Sequence, residues 1–207
     1  MGFYAKHVLP RLTDLAMRSR VVSAERARFV PMASGRVLEV GIGSGLNLPF
    51  YGSGVTSLHG LDPSLELWKL GVRRTAAVPF AIRFVSGSAE RVPAADASFD
   101  TAVTTFTLCS IPDPAAALTE MRRVLAPGGR LVFVEHGRSP DARVRAWQDR
   151  LTPLWRRVAG GCHLNRTIDE LIRAAGFTID AIETGDTGAP RLFGYLFRGV
   201  AGRSDAR

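Results

Sequence analysis

The stretch Glu39–Asn47, "EVGIGSGLN", decides the fold. It follows the apolar run "RVL" and sets glycines at alternate positions, Gly41, Gly43 and Gly45. Glycine permits positive-φ turns and lets the backbone approach another group closely. An apolar run that ends in such a turn reads as the first strand of a parallel sheet and the ligand-binding loop beyond it. The second signal is Asp62, which closes the apolar run "VTSLHGLD". It stands about 20 residues past the glycines, where a carboxylate can take both ribose hydroxyls of a nucleotide. The pattern is G-x-G-x-G rather than the G-x-G-x-x-G that faces a pyrophosphate, and no G-K-[ST] follows, which excludes a P-loop. Glu39, just ahead of the glycines, suits a cofactor that carries a cation.

Working outward, strands and helices alternate from Arg36 onward. "RVLEVG" is the first strand, and "LNLPFYG" opens a helix or turn that Pro49 limits. "VTSLHGLDPS", "IRFVSGSAE", "FDTAVTTFTLCS" and "RLVFVEHG" read as strands two to five. "LELWKLGVRRTAA" has helical spacing, and "DPAAALTEMRRVLAPGG" is a helix capped by Asp113, with Pro114 in its first turn and Gly128 at its end. A further helix meets Pro153, another runs from a Thr167 cap to Gly176, and two strand patterns close the chain. Five strand-then-helix units predict an α/β fold with a doubly wound, mainly parallel sheet. The expected organisation is a helical, basic segment over 1–30, one domain over 31–202 and a frayed tail over 203–207. In the first segment Phe3, Val8, Leu12, Leu15 and Met17 form a loose apolar stripe, interleaved with Lys6, Arg11, Arg18 and Arg20. It reads as a helix packed across the domain or a lid over the site, with a membrane-surface segment as the less favoured alternative.

The 207 residues are enough for a sizeable core, and the 46% hydrophobic content is that of a soluble globular protein. No apolar run is long enough to span a bilayer and no signal peptide stands at the start, so the default compartment is the cytoplasm, with the inner membrane surface second. The net charge of +8 favours anionic partners. No zinc finger, RNA-binding aromatic signature or helix-turn-helix pattern is present, so nucleic acid is disfavoured. The two cysteines, Cys109 and Cys162, form no CxxC pair and no metal-ligand cluster by spacing. They read as buried reduced thiols, and no metal is expected.

The segments "VLEVGIGSGLN", "GLDPS", "GSAERVPAADASFDTAV" and "EMRRVLAPGGRLVFVEHG" resemble, in order, the successive motifs of class I S-adenosylmethionine-dependent methyltransferases over roughly residues 36–136. The resemblance implies a seven-stranded sheet whose last strand is antiparallel, and S-adenosylmethionine as the cofactor. By position it implies that Gly41, Gly43 and Gly45 lie beside the methionine and ribose parts. Glu39 would orient that loop or meet the ammonium through water, and Asn47 and Pro63 belong to the same cradle. Asp62 would take the ribose hydroxyls, Ser88, Ala89 and Glu90 would flank the adenine, and Thr105 would face the methionine end. Many relatives carry aspartate where this chain has Ser88.

The succession "EHG…WQ…P.W…GC.L.R" extends the likeness to about residue 180 and is similar to the methyltransferase-like 7 group, the alkyl thiol methyltransferases. It implies a small lipophilic acceptor, thiol sulfur first. A phospholipid or quinone-type methyltransferase at the membrane surface stays open as an alternative, as does a cofactor-binding protein without catalysis. Animal members begin with an apolar anchor where this chain has its basic segment. A nucleic-acid methylase is disfavoured because no Asn-Pro-Pro-aromatic or Asp-Pro-Pro-aromatic tetrapeptide follows the fourth strand. A thiol attacks as thiolate, so a base would help. His136, at the end of the fifth strand, is the first candidate, and His163, beside Cys162, the second. The plain alternatives are that His136 bonds a loop carbonyl, that Glu135 orients the adjoining loop and that Cys109 fills the core. Nothing in the sequence sets the oligomeric state.

Overall fold

The computed structural model describes residues 3–204. Seven strands form one sheet: β1 (Gly35–Val40), β2 (Val55–Asp62), β3 (Ala81–Ser86), β4 (Phe99–Thr105), β5 (Leu125–His136), β6 (Phe177–Asp186) and β7 (Tyr195–Arg203). Their order is β3-β2-β1-β4-β5-β7-β6. β7 runs antiparallel to both β5 and β6, and the other neighbouring pairs are parallel. The expected doubly wound sheet with an antiparallel last strand is therefore present. The chain goes outward from β1 to β3 and then returns to β4 on the other side. That reversal puts the carboxyl ends of β1 and β4 side by side at the switch point, where such sheets bind ligands.

Both faces of the sheet are covered, so the central strands are almost continuously apolar. The α-helices are α1 (Leu9–Met17), α2 (Arg20–Phe29), α3 (Leu65–Gly71), α4 (Pro114–Val124), α5 (Ala142–Val158) and α6 (Ile168–Ala174). Leu38 and Val40 of β1 face one core, with Phe133 of β5 and Leu118 and Met121 of α4. Val37 faces the other, with Val103, Val132 and Phe29. Leu118 and Met121 are fully buried, each contributing about 1.5–3 kcal/mol. α4 starts as its sequence dictates: the Asp113 carboxylate accepts from the Ala116 N–H at 3.0 Å, and Pro114 occupies the first turn.

The stretch after β1, read as a helix or turn, is a short 3₁₀ turn, Leu48–Phe50, and so no departure. Several other elements depart from the sequence reading. No helix separates β3 from β4, because Gly87, Pro93 and Asp96 break any helical period there. α4 stops at Val124 rather than at Gly128, because Leu125 already pairs with Phe99 at the start of β5. The next helix, Ala142–Val158, runs straight through Pro153. Thr167 precedes the helix Ile168–Ala174 but makes no side-chain cap bond. The expected frayed tail falls largely on residues 205–207, outside the described residues, as do residues 1–2.

The N-terminal segment is helical, as read, but broken near Ser19, whose hydroxyl accepts from the Val22 N–H and starts a second helix, Arg20–Phe29. The segment is fastened to the domain by buried polar bonds. Ser44 donates to Asp14 at 2.6 Å, Arg26 to Asn47 at 2.9 Å and Arg198 of β7 to Glu25 at 2.7 Å. Two of these three bonds end on the glycine loop, so the segment is packed against that loop.

Candidate active site

Gly41, Gly43 and Gly45 all have positive φ, +76°, +52° and +70°. They are glycines for two different reasons. A Cβ on Gly41 would overlap the Thr107 side chain, and one on Gly45 would come within 2.9 Å of Leu48 Cδ1. A Cβ on Gly43 would meet only ordinary van der Waals contacts, with Gly41 O at 3.9 Å and Asp62 Oδ2 at 4.0 Å as its nearest neighbours. Gly43 thus marks a hollow bounded by backbone and a carboxylate. Asp62 ends β2 at its rim, 6% exposed. Its Oδ2 accepts from the Gly43 N–H at 2.9 Å and its Oδ1 from the Ser64 N–H at 2.7 Å. Burial pushes this carboxyl up, and the two N–H bonds pull it back. Each oxygen keeps a lone pair for a further donor. An oriented carboxylate beside a side-chain-free backbone fits a ribose diol.

Behind the loop lies a buried polar network. Glu39 accepts from Asn47 Nδ2 at 2.9 Å and from the Tyr51 hydroxyl at 2.8 Å. Asn47 Nδ2 also reaches Thr105 Oγ1 at 3.0 Å, and its Oδ1 accepts from Arg26 Nε. Arg26 lies over the Phe106 ring, 5.6 Å from its centroid. Phe106 itself has φ +54°, strained for a residue with a side chain, directly past β4. Glu39 is therefore held by Asn47 and Tyr51 and orients the loop from behind. Burial lowers Arg26 to about 10, with the Glu39 charge acting the other way.

Burial also raises the Glu39 carboxyl to about 7, against the Tyr51 and Asn47 bonds and the Arg26 charge, which lower it. The folded protein then holds this proton more tightly than the unfolded chain does. Stability is greatest below the ordinary glutamate range and falls as pH rises to about 7, by roughly 3 kcal/mol from this group alone. Glu39→Gln keeps the side chain's shape without the titration. The difference in urea unfolding free energy between wild type and Glu39→Gln should therefore drift across pH 4.5–7 and level off above it. A difference that stays constant with pH would refute the burial of this charge.

The candidate adenine residues follow β3. Ser88 donates to Glu90, whose other carboxylate oxygen accepts from the Asp113 N–H at 3.2 Å. Ala89 is buried between them, whereas Pro63 is exposed beside Asp62. Thr105 is the last residue of β4.

At the ends of β4 and β5, Glu135 is wholly buried and accepts from Thr104 Oγ1 at 2.7 Å and from the Thr107 N–H at 2.9 Å. It thereby shapes the turn after β4, not the loop after β5 that its sequence position suggested. His136 Nε2 lies 3.1 Å from Cys162 Sγ. Burial pulls His136 down, but Cys162 and the Glu135 charge outweigh it and hold the imidazole above its ordinary value. His163 turns away from Cys162: its Nδ1 sits 3.1 Å from the Cys109 carbonyl oxygen. Arg26, Tyr51 and Asp14 were not legible as site residues, because each reaches the loop only through the fold.

The comparisons with known proteins agree with this geometry. A family model described as a methyltransferase domain matches residues 38–133. The chain is 31% identical over 197 residues to human Thiol S-methyltransferase TMT1A, covering 89% of this chain and 80% of that protein. It is 36% identical over 146 residues to Thiol S-methyltransferase TMT1B of Rattus norvegicus, covering 69% of this chain and 59% of the rat protein. It is 31% identical over 165 residues to the Demethylmenaquinone methyltransferase of Paenarthrobacter aurescens, covering 80% of this chain and 54% of that protein. The chain thus spans under two thirds of the length of the rat and Paenarthrobacter proteins. In fold it is similar to a SAM-dependent methyltransferase of Thermotoga maritima, with TM-score 0.69, 20% identity, and 97% and 99% of the two chains covered. With the glycine hollow, the Asp62 rim and the sheet order in place, the chain belongs to the class I S-adenosylmethionine-dependent methyltransferases, and S-adenosylmethionine is its cofactor.

Proposed function

We propose that this chain moves the methyl group of S-adenosylmethionine to the sulfur of a small, lipophilic thiol. The observation that carries this reading is the 31% identity to human Thiol S-methyltransferase TMT1A across 89% of the chain, beyond the cofactor motifs and through the acceptor half. That half is knitted to the cofactor half at the carboxyl edge: Arg166 donates to the Leu108 carbonyl, and the His163 N–H to the Cys109 carbonyl at 2.8 Å. When bound, the cofactor supplies a methyl carbon whose leaving group is a neutral thioether, so no acid is needed. Asp62 orients the ribose, Gly43 lets the backbone lie against it, and Glu39 with Asn47 and Thr105 keeps the loop rigid behind it. Residues that hold the cofactor this way would let it present its methyl group to the acceptor, with catalysis resting on alignment and water exclusion.

A second reading, a quinone or phospholipid acceptor at a membrane surface, is favoured by one feature. Phe3 and Leu15 are 76% and 69% exposed on the N-terminal helices, beside Lys6 and Arg11. Among the described residues no helix is long and apolar enough to cross a membrane, so this contact would be peripheral. Methyl transfer from labelled cofactor to an alkanethiol, a demethylated quinone and phosphatidylethanolamine, run side by side, separates the readings. Transfer to the thiol at least about tenfold faster in kcat/KM than to the others supports the first. Transfer to quinone or lipid alone refutes it.

A further inference from the structure

Cys109 lies past β4, His136 ends β5, and Cys162 follows the helix Ala142–Val158. Nothing in their spacing links them. In the fold their donor atoms all lie within 4.8 Å of one another, and both thiols are free. The second imidazole nitrogen, His136 Nδ1, is buried with no hydrogen-bond partner, so the ring is turned toward the thiols at the expense of a polar contact.

We propose that Cys109, His136 and Cys162 form a three-ligand zinc site whose fourth coordination position is open. Two sulfurs and an imidazole form a soft donor set that suits zinc and not magnesium or calcium, which take oxygen. Tetrahedral zinc, at about 2.3 Å from sulfur and 2.0–2.1 Å from nitrogen, spaces its ligand atoms by roughly 3.5–3.8 Å. The three donor atoms lie within 4.8 Å of one another, close enough to converge on one ion, and the 3.1 Å contact between His136 Nε2 and Cys162 Sγ would widen by a few tenths of an ångström to admit it. With Nε2 as the ligand, the proton of the neutral ring rests on Nδ1. Two thiolates cancel the charge of the ion, leaving the nearby Arg166 guanidinium without a net cation to repel. The ligands are carried on constrained backbone. The Cys109 carbonyl accepts from both the N–H and the ring of His163, and Gly160 and Gly161, at φ +62° and +87°, make the tight turn that presents Cys162. Three protein ligands with one open position is the arrangement of catalytic rather than structural zinc.

The occupant of the open position follows from the thiol reading above and rests on it. The turn that carries Cys109 also carries Thr107, whose side chain packs directly on Gly41 of the cofactor loop. Cys109 is two residues on, at most about 7 Å along the chain. The acceptor's sulfur, bound to zinc there, would give up its proton to solvent water and meet the methyl carbon as thiolate. The S–C bond forms, the cofactor's C–S⁺ bond breaks, and the electron pair stays on the departing thioether.

The test uses the full chain, expressed with zinc and kept reduced, then desalted. About one zinc per chain by plasma mass spectrometry is expected, falling about tenfold or more in Cys109→Ser and Cys162→Ser. Cobalt in place of zinc should give a thiolate-to-cobalt charge-transfer band that octanethiol perturbs. Thermal melts check the variants. If buried Cys109→Ser fails to fold, the less buried Cys162→Ser decides. Zinc far below stoichiometry with no cobalt band overturns the site. So does a Cys109–Cys162 disulfide in a chain that takes up no metal once reduced. A cobalt spectrum indifferent to the thiol overturns the occupant. Zinc retained without thiol methylation leaves the site standing and sinks the thiol reading, and thiol methylation without zinc does the reverse.

Discussion

Asp62→Ala is expected to weaken S-adenosylmethionine binding by at least about a hundredfold. The carboxylate is oriented by two backbone N–H bonds, from Gly43 and Ser64, and keeps free lone pairs toward the hollow at Gly43. Two hydrogen bonds from ribose hydroxyls to an ionised carboxylate contribute about 1.5–3 kcal/mol each, so losing both costs a hundredfold or more. The substitution also strands the Gly43 N–H, which adds about 1–3 kcal/mol of lost stability. Asp62→Asn keeps one acceptor for that N–H and so separates the two effects. It should hold the melting temperature closer to wild type while still binding the cofactor poorly. Calorimetric affinity and thermal melting on the same samples read both. An Asp62→Ala protein that melts normally and binds within about threefold of wild type would remove the ribose role from this residue.

Gly41→Ala and Gly43→Ala should fail in opposite ways. Both sites have positive φ, which costs any other residue about 1–2 kcal/mol. At Gly41 the new methyl group also overlaps Thr107, adding about 1–3 kcal/mol of overpacking. The fold should lose roughly 2–5 kcal/mol, a large share of a domain's total stability. At Gly43 the methyl group makes only ordinary van der Waals contacts, so only the backbone strain remains. If the cofactor lies against Gly43 as proposed, affinity should fall about tenfold or more. Equal loss of stability at the two sites would refute the packing difference. Unimpaired cofactor binding by Gly43→Ala would move the cofactor out of this hollow.

Much of the fold and site could be read from neighbours in the chain. Strand β1, its glycine turn and the carboxylate at the end of β2 are local patterns, each set by dihedral freedom or by the alternation of apolar residues. The same holds for α4, whose start is written in Asp113 and Pro114. Where α4 ends was not legible. Leu125 looks as suitable for helix as for strand, and it becomes strand because Phe99 of β4 is there to pair with it. The crossover between β3 and β4 is decided in the same way: a parallel crossover is usually helical, but residues 87–98 cross as a loop tied by Arg123 to Asp96 and to the Val92 carbonyl.

The site divides along the same line. Glycine positions, Asp62 and Glu39 follow from short-range spacing in the sequence, and the fold brings them together, Asp62 bonding the Gly43 N–H and Glu39 bonding Asn47. The sequence could not show which glycine faces the hollow, because that depends on Thr107 arriving from β4 to occupy the space beside Gly41. Nor could it show Arg26 bracing Asn47, or Cys109, His136 and Cys162 converging. The amino-acid order alone determined a parallel α/β sheet with a nucleotide loop after its first strand, since those depend on residues close together in the chain. Tertiary structure decided the walls of the hollow and the thiol–imidazole cluster, since each joins segments that only the sheet order brings to one edge.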